Sequence, residues 1–389
     1  MVMLNINISE WRKCFNEFFE ENEGESARMY NNRMIQFDKI RGCLVGGAVG
    51  DALGYPVEFL KDDEIRDRYG KAGICAYVKD VKSRKALISD DTQMTLFTAE
   101  GIMNYEFAVR MGDNSFGLRH YLSAAYQDWL RTQELALEDN KRKRGKKTGA
   151  GVAGLLAVPE LYSRRVPGMT CLTALGMRGK SRPSEDPIRD TLNNSKGSGG
   201  IMRVAPIALG CRDLSAEELD MEAAQAAAIT HGHSMGYMPA AVQAHIINRI
   251  VFGEADISLK DIVTEAVETV SGLFRGDVHL GELTDKVGLA VTLSGNDSSD
   301  AENIRRIGEG WVAEETLGIA VYCALRYQDD FSAGVIAAVN HSGDSDTTGA
   351  VAGNILGAIA GYGAIEDKWK NDLELLDVIL KTADELSGE

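Results

Sequence analysis

The sequence predicts an all-α protein, and three observations support that fold class. Only 7 prolines interrupt the 389 residues, and windows rich in Ala, Leu and Met dominate the chain. No stretch of the main body alternates strongly between apolar and polar residues, as a half-buried strand would. Glycine recurs every fourth residue in two apolar runs, a spacing that aligns it along one side of a helix. The 44% hydrophobic content is sufficient for a sizeable core.

An N-terminal extension, residues 1–37, precedes the main body, residues 38–389. Within it, Ser9 is a predicted helix cap. The aromatic residues that follow share one helical face: Trp11, Phe15, Phe18 and Phe19. Two interpretations are open. The segment is either a helix packed on its own domain, which is the favoured one since amphipathic helices usually face a core, or an arm that binds a partner protein.

The body ends in a predicted amphipathic helix at residues 366–389, with apolar residues on one face. These are Trp369, Leu373, Leu376 and Ile379.

Charge and cysteine content restrict the class of protein. The formal net charge is −16 and the pI is near 5.0, which argues against a nucleic-acid or anionic-membrane partner. The 6 cysteines are scattered, with no C-x-x-C pair and no zinc-site spacing. The N-terminus lacks the basic and apolar regions of a signal peptide, and the apolar runs are shorter than a membrane span. We therefore expect a cytoplasmic protein.

The two glycine-rich runs predict closely packed helices. Their glycines are Gly42, Gly46, Gly50 and Gly54 in the first run and Gly349, Gly353, Gly357 and Gly361 in the second. Each glycine inside a helix costs about 1 kcal/mol relative to alanine. A chain that accepts this cost in two helices gains close backbone approach, and closely packed helices form a rigid base for a site.

Clusters of acidic residues lie at the ends of these helices. Asp51 lies near the end of the first run and Glu58 follows it, while Asp344 and Asp346 precede the second. A third cluster, Ser89-Asp90-Asp91-Thr92, begins another apolar helix. One Asp or Ser at a helix start is usually a cap, but a cap needs only one carboxylate and neighbouring carboxylates repel. The clusters therefore predict oxygen ligands for hard cations, Mg²⁺ or Mn²⁺ rather than Zn²⁺.

Six stretches of the body, in order, resemble the ADP-ribosylglycohydrolases, a family that includes the dinitrogenase reductase-activating glycohydrolase and the animal ADP-ribosyl-acceptor hydrolases. They are GCLVGGAVGDALGYPVEF, SDDTQMTLFTAEG, NNSKGSGGIMRVAPIAL, ITHGHSMGYMPAA, GEGWVAEETLGIAVYCAL and HSGDSDTTGAVAGNILGAIAG. The resemblance implies a compact, single-domain, all-α fold with a central cleft that holds two Mg²⁺ or Mn²⁺ ions.

The resemblance also implies a set of site residues. The metal ligands would be Ser89, Asp90, Asp91, Asp344, Asp346 and Thr347. The catalytic residues would be Glu58, Asp91 and Asp346. The substrate-binding residues would be Glu58, Ser198, Gly199, Gly200, His231, Gly343 and Ser345.

The implied reaction is hydrolysis of the glycosidic bond between C1″ of ADP-ribose and a protein side chain, usually arginine and in some members serine. The substrate partner is then an ADP-ribosylated protein. The sequence departs from the nitrogenase-activating enzyme at Gly168-Met169-Thr170, because the best alignment puts Met169 where that enzyme has a loop acid. Met169 cannot act as a base, so Glu58 or a ligand carboxylate would have to serve. Trp311 is expected in the core rather than in the cleft wall.

Two other functions stay open. An immunity protein would neutralise an ADP-ribosyltransferase toxin by hydrolysis and through direct binding by residues 1–37. A non-catalytic member, like some lens crystallins of this family, would have no use for clustered carboxylates that are costly to bury.

Overall fold

The computed structural model describes residues 32–144, 154–179, 183–254 and 256–388. In these ranges the chain is helical, and its β structure is limited to isolated bridges such as Gly197–Val312. The predicted all-α fold class is confirmed. The aromatic segment of the N-terminal extension lies outside the described residues, whereas residues 32–37 already belong to the first helix.

The first half of the described chain contains eight α-helices. They are α1 (32–54), α2 (Asp62–Tyr69), α3 (Asp90–Arg110), α4 (Leu118–Glu134), α5 (Leu137–Arg144), α6 (Met169–Arg178), α7 (Ala205–Gly210) and α8 (Ala216–Ala228). Short 3₁₀ turns connect some of them, at Tyr55–Val57, Leu155–Ala157, Pro159–Tyr162 and Ser198–Arg203.

The second half continues the same architecture. Its helices are α9 (Ser234–Phe252), α10 (Leu259–Leu273), α11 (Leu280–Ser294), α12 (Asp300–Ile307), α13 (Ala313–Arg326), α14 (Phe331–Val339), α15 (Ser345–Ala360), α16 (Asp367–Lys370) and α17 (Leu376–Ser387). None of the helices in the described part of the chain is long and apolar enough to cross a lipid bilayer.

Helices α1 and α15 pack antiparallel with their backbones in contact. A Cβ atom on Gly46 would overlap the carbonyl oxygen of Gly353, and one on Gly50 would overlap that of Gly349. At the far end of the pair, a Cβ on Gly54 would overlap the carbonyl oxygen of Ser345. The glycine stripes predicted from sequence therefore face each other, and each accommodates the other's backbone.

The other helices surround this pair and bury it. α9, α13 and α14 pack against α15, while α3 packs against α4 and α7. Both glycine helices are buried over most of their length, which explains why their sequences are apolar on every side.

The C-terminal segment forms two helices instead of the single helix predicted from sequence. The chain breaks between α16 and α17, where Leu375 adopts a left-handed conformation with φ of 58°. In the break, the backbone exchanges hydrogen bonds with Ala86, which donates to Asp372 and accepts from Glu374. Trp369 is buried as predicted. Helical periodicity does not reveal a long-range backbone pairing of this kind.

Candidate metal centre and active site

Three chain segments bring their carboxylates to one place. Glu58 follows the 3₁₀ turn that ends α1, Asp90 and Asp91 open α3, and Asp344 and Asp346 flank the start of α15. Because α1 and α15 are antiparallel, the C-terminal end of one lies beside the N-terminal end of the other. The glycine contact thus brings Glu58 close to the α15 acids.

Asp51 is a buried anchor for the start of α3. Its carboxylate accepts hydrogen bonds from the backbone N–H of Ser89 at 2.9 Å and of Thr92 at 3.1 Å, and from the Thr92 hydroxyl. Sequence reasoning noted Asp51 without assigning it this role. The signal was present, since an ionisable residue inside a glycine-rich apolar run is costly unless it has partners.

The α3 cluster contains one helix cap, Ser89, and two carboxylates that do not cap the helix, Asp90 and Asp91. Ser89 caps the helix, because its hydroxyl accepts from the N–H of Asp91 at 3.1 Å. Asp90 accepts from the N–H of Gly168 at 3.3 Å. Oδ2 of Asp91 is buried and accepts no hydrogen bond. With Ser89 as the cap, neither aspartate is needed for that purpose.

The α15 cluster is held by the neighbouring loops. Asp344 accepts from the Ser198 hydroxyl at 2.6 Å, and its N–H donates to the carbonyl of Glu309 at 2.8 Å. Gly343 has φ of 128° and leaves no room for a side chain against Glu309. The hydroxyl of Ser345 is buried and turns back to the carbonyl of His341 at 3.3 Å, so this side chain braces the loop from within.

The acids from different segments lie within reach of one ion. Carboxylate oxygens of Glu58, Asp344 and Asp346 all lie within 4.8 Å of one another. Oε2 of Glu58, like Oδ2 of Asp91, is buried without a hydrogen-bond partner. In the described part of the chain, no Lys, Arg or His forms a salt bridge with these carboxylates.

Burial among like charges raises the pKa values of the cluster. Burial, followed by the charges of Asp344, Asp90 and Asp51, raises the pKa of Glu58 to about 9. Burial likewise raises the pKa of Asp90 to about 8. The pKa of Asp346 lies well above its ordinary value because of burial and the nearby charge of Asp91 in the α3 cluster.

These carboxylates have the character of a divalent cation site. The donors are all oxygens, as hard cations such as Mg²⁺ and Mn²⁺ prefer. Two of the donor atoms have no other partner, and a buried unpartnered carboxylate oxygen is costly. A bound cation would supply the missing charge and reverse the upward pKa shifts. Thr347 adds a hydroxyl at the same place, interacting with Asp91.

The glycine-rich loop lies against this cluster. Ser198–Arg203 forms a 3₁₀ turn whose first hydroxyl contacts Asp344. A Cβ on Gly199 would lie 2.9 Å from Sγ of Cys171 and 3.0 Å from the His231 ring, so only glycine fits without a shift. His231 is buried behind the loop, and its Nδ1 pairs with the Thr230 hydroxyl at 2.8 Å.

Arg203 was not among the site residues predicted from the sequence. Its side chain holds the glycine-rich loop from the buried side. The guanidinium is fully buried and lies over the Tyr126 ring, 4.4 Å from its centroid. It donates to the carbonyl of Gly199 at 2.9 Å and to the Thr230 hydroxyl at 2.7 Å. A basic residue directly after an apolar Gly-rich segment was the available signal.

The structure contradicts the expectation for Trp311 and gives the position of Met169. Trp311 is not in the core: 40% of it is exposed, and it stacks on Phe59 with ring centroids 6.0 Å apart. Both rings are attached beside the site, since Phe59 follows Glu58 in the chain. Met169 is 69% exposed at the first turn of α6, directly after the Gly168 that contacts Asp90.

A family model and several known proteins match this chain. The family model for ADP-ribosylglycohydrolase matches residues 32–389. ADP-ribosylhydrolase ARH3 of Mus musculus is 24% identical over 370 residues, covering 86% of this chain and 87% of that protein. ADP-ribosyl-[dinitrogen reductase] glycohydrolase of Rhodospirillum rubrum is 22% identical over 348 residues, covering 87% of this chain and 91% of that protein.

A solved structure shares the fold. The structure described as an ADP-ribosylglycohydrolase-related protein complex superimposes with a TM-score of 0.59 at 22% identity, covering 91% of this chain and 98% of its own. The family match spans the whole described part of the chain and includes all six stretches on which the resemblance was based. The chain therefore belongs to the ADP-ribosylglycohydrolase family.

Proposed function

We propose that this protein is a divalent-cation-dependent hydrolase that removes ADP-ribose from modified protein side chains, with arginine as the acceptor. The observation that carries the proposal is the group of buried carboxylates from α1, α3 and α15, with unpartnered oxygens on Glu58 and Asp91. If these helices served only for packing, replacing the buried carboxylates with apolar residues would stabilise the protein.

The proposed ligands are Ser89, Asp90, Asp91, Asp344, Asp346 and Thr347, and two ions of Mg²⁺ or Mn²⁺ are proposed. When bound, such ions supply positive charge that orients the ribose hydroxyls and the attacking water. Asp51 contributes indirectly, because its hydrogen bonds fix the start of α3 and so the directions of Asp90 and Asp91.

The chain's own residues would then handle the sugar and the proton. Cleavage at C1″ passes through a transition state with oxocarbenium character, which neighbouring carboxylates stabilise. Glu58 has a free buried oxygen beside the α15 acids and is the proposed acceptor of the proton from water. The role falls to Glu58 because Met169, at the position of the alternative loop acid, cannot accept a proton.

The glycine-rich loop is proposed to hold the pyrophosphate of ADP-ribose. Gly199 and Gly200 let backbone N–H groups approach an anion closely, and the Ser198 hydroxyl links the loop to Asp344. His231 and Arg203 lie behind it and keep its backbone in place.

Release of free ADP-ribose from arginine-modified protein tests the proposal directly. We expect release with Mg²⁺, none with excess EDTA, and none from the Asp346→Ala variant with Mg²⁺. A parallel assay on serine-modified protein tests the acceptor. Release from serine but not from arginine would overturn the acceptor assignment alone. Full activity in EDTA, or in the Asp346→Ala variant, would overturn the metal-dependent mechanism.

A further inference from the structure

Two cavities flank the first turns of α1, at the end of the helix far from the acidic cluster. One, of about 490 Å³, lies between α1, the C-terminal end of α9 and the start of α10. The other, of about 670 Å³, reaches α17 on the opposite side of α1. We call the first one, with its apolar lining of Ile35, Ile250, Phe252, Ile257, Ile262 and Ile359, the α1 groove. Phe252 also lines the second cavity, so the two meet around one helix.

The helix side next to the groove is apolar and uncovered. Ile35 is 54% exposed and the adjacent Met34 is 42% exposed, in the first turn of a helix that is half-buried at residues 36–39 and buried from Gly42 onward. Lys39 and Arg249 lie at the edge of the same groove, together with Glu254, and Arg249 already forms a salt bridge with Glu265. The described hydrogen bond of Lys39 runs to a neutral group, the carbonyl of Ile250 at 2.8 Å. This surface suits an amphipathic, acidic segment.

We propose that residues 1–31 of the same chain dock in the α1 groove, with their aromatic face against the exposed Ile35 and the half-buried Ile257 and Ile359. The segment has four aromatic side chains at helical spacing, and each such side chain buries roughly 150–250 Å² when it packs. It contains six acidic and three basic residues, and this net negative charge complements Lys39 at the groove edge. Residue 31 connects directly to the helix that forms one groove wall.

Chain length and local concentration support an occupant from the same chain. Phe19 stands 13 residues before Asn32, and an extended chain spans about 3.3–3.6 Å per residue, so the aromatic residues reach every part of the groove. A tethered segment acts at an effective concentration on the order of mM. A partner protein at cellular concentration competes poorly with such an occupant.

The location also determines what docking does. The groove lies at the N-terminal end of α1, and the cluster lies beyond its C-terminal end, about 30 Å away for a helix of this length. Docking there covers the end of the α1–α15 pair and leaves the substrate cleft open. We therefore expect no loss of hydrolysis when the segment is released.

The reactivity of Cys14 reports on docking in the full-length protein. Helical spacing puts Cys14 on the same face as Trp11, Phe15 and Phe18. Cys75 is exposed and serves as the internal reference thiol. With alkylation by iodoacetamide followed by peptide mass spectrometry, we expect Cys14 to react roughly tenfold more slowly than Cys75.

Matched variants test whether docking in the α1 groove is what protects Cys14 from alkylation. Ile35→Asp places a charge in the groove at an already exposed position, and we expect it to bring Cys14 close to the rate of Cys75. Phe18→Ala acts from the segment side, without touching the folded body, and should give the same result. Val81→Asp, at a position 87% exposed, is the control and should leave Cys14 protected.

Three results would overturn the proposal. Equal rates of Cys14 and Cys75 in the unmodified protein would show that the segment is not docked. Protection that survives both Ile35→Asp and Phe18→Ala would show another location. Protection that disappears on dilution would show that a second copy of the chain supplies the groove or the segment.

Discussion

Glu58 is the residue whose surroundings are hardest to explain by stability alone. It lies beside Asp344 and Asp346 with one oxygen unpartnered. Burial, followed by the charges of Asp344, Asp90 and Asp51, raises its pKa and so opposes its ionisation. Phe59, the next residue, is exposed and meets Trp311 across the rim. A buried acid directly beside an accessible rim is the arrangement expected of a group that meets substrate.

Replacing Glu58 with Gln removes the proposed proton acceptor and keeps the shape of the side chain. We expect kcat for ADP-ribose release to fall by about 10²–10⁴, the usual contribution of general base catalysis. The control is Glu309→Gln, which changes a partly exposed rim carboxylate and leaves the backbone contact to Asp344 intact. An unchanged kcat in Glu58→Gln, with bound metal also unchanged, would assign the base to another residue.

His231 provides a pH-dependent stability term separate from the acidic cluster. Burial, followed by the charge of Arg203, lowers its pKa from 6.5 to about 3. The neutral form is therefore the folded form. Its contribution is fully present above pH 6.5 and is lost as the pH falls toward 3, because the unfolded chain takes up the proton first.

We expect the burial of neutral His231 to lower the unfolding free energy of the wild type by about 2 kcal/mol as the pH falls from 8 to 5. His231→Gln lacks the titrating imidazole. The difference in unfolding free energy between wild type and variant should therefore narrow by about 2 kcal/mol from pH 8 to pH 5. Chemical denaturation at several pH values measures it. A difference that stays constant with pH would show that His231 is not held neutral by burial.

At the scale of elements, the contact between α1 and α15 connects packing to chemistry. The two helices approach so closely that carbonyl oxygens occupy the space of missing side chains. Their antiparallel direction places Gly54 against Ser345, and so the end of α1 beside the first turn of α15. The separation of Glu58 from the α15 acids thus depends on a row of glycines up to 16 residues away in sequence.

The cost of one methyl group in this row is predicted to be large. In Gly353→Ala the new Cβ would overlap the carbonyl oxygen of Gly46, which cannot move without the helix. We expect a loss of about 3 kcal/mol or more in unfolding free energy. Gly288→Ala in α11 is the matched control, since nothing lies within 4 Å of its Cβ position. It should stabilise the protein by up to about 1 kcal/mol through higher helix propensity.

Equal effects of the two substitutions, measured by urea unfolding, would contradict the role assigned to the glycine contact. If Gly353→Ala also lowers metal affinity while Gly288→Ala does not, the contact sets the geometry of the cluster as well as the stability of the fold.

The sequence predicted the parts of this arrangement whose signals are local. Glycine spacing predicted the two stripes. The clusters of acids beside hydroxyls contain more carboxylates than helix caps require, and so predicted oxygen ligands for a cation. It did not predict the break at Leu375 or the exposure of Trp311. Both depend on contacts distant in sequence: Ala86 with the C-terminal segment, and Phe59 with Trp311. Helical periodicity carries no signal for such pairs.

For the whole molecule, the acidic cluster lowers the unfolding free energy when no cation is bound, and a bound cation would raise it. Asp51 and the acids of α3 and α15 come from distant parts of the chain, and folding brings them together against their mutual repulsion. A ligand that binds only the folded state adds its binding energy to the stability of the entire domain. Metal should therefore shift the global unfolding transition rather than a local one.

We expect Mg²⁺ at a hundredfold excess over its Kd to stabilise the protein by about 2.7 kcal/mol relative to EDTA. For a domain of this size that corresponds to a rise in Tm of roughly 3–4 °C. Asp346→Asn should show two linked changes. Its Tm in EDTA should exceed that of the wild type, because one buried carboxylate is gone, and the response to Mg²⁺ should disappear. Scanning calorimetry of both proteins, with and without Mg²⁺, measures the four values. A wild-type Tm that ignores Mg²⁺ and Mn²⁺ alike would show that the buried carboxylates are not a cation site, and the proposed mechanism would fail with it.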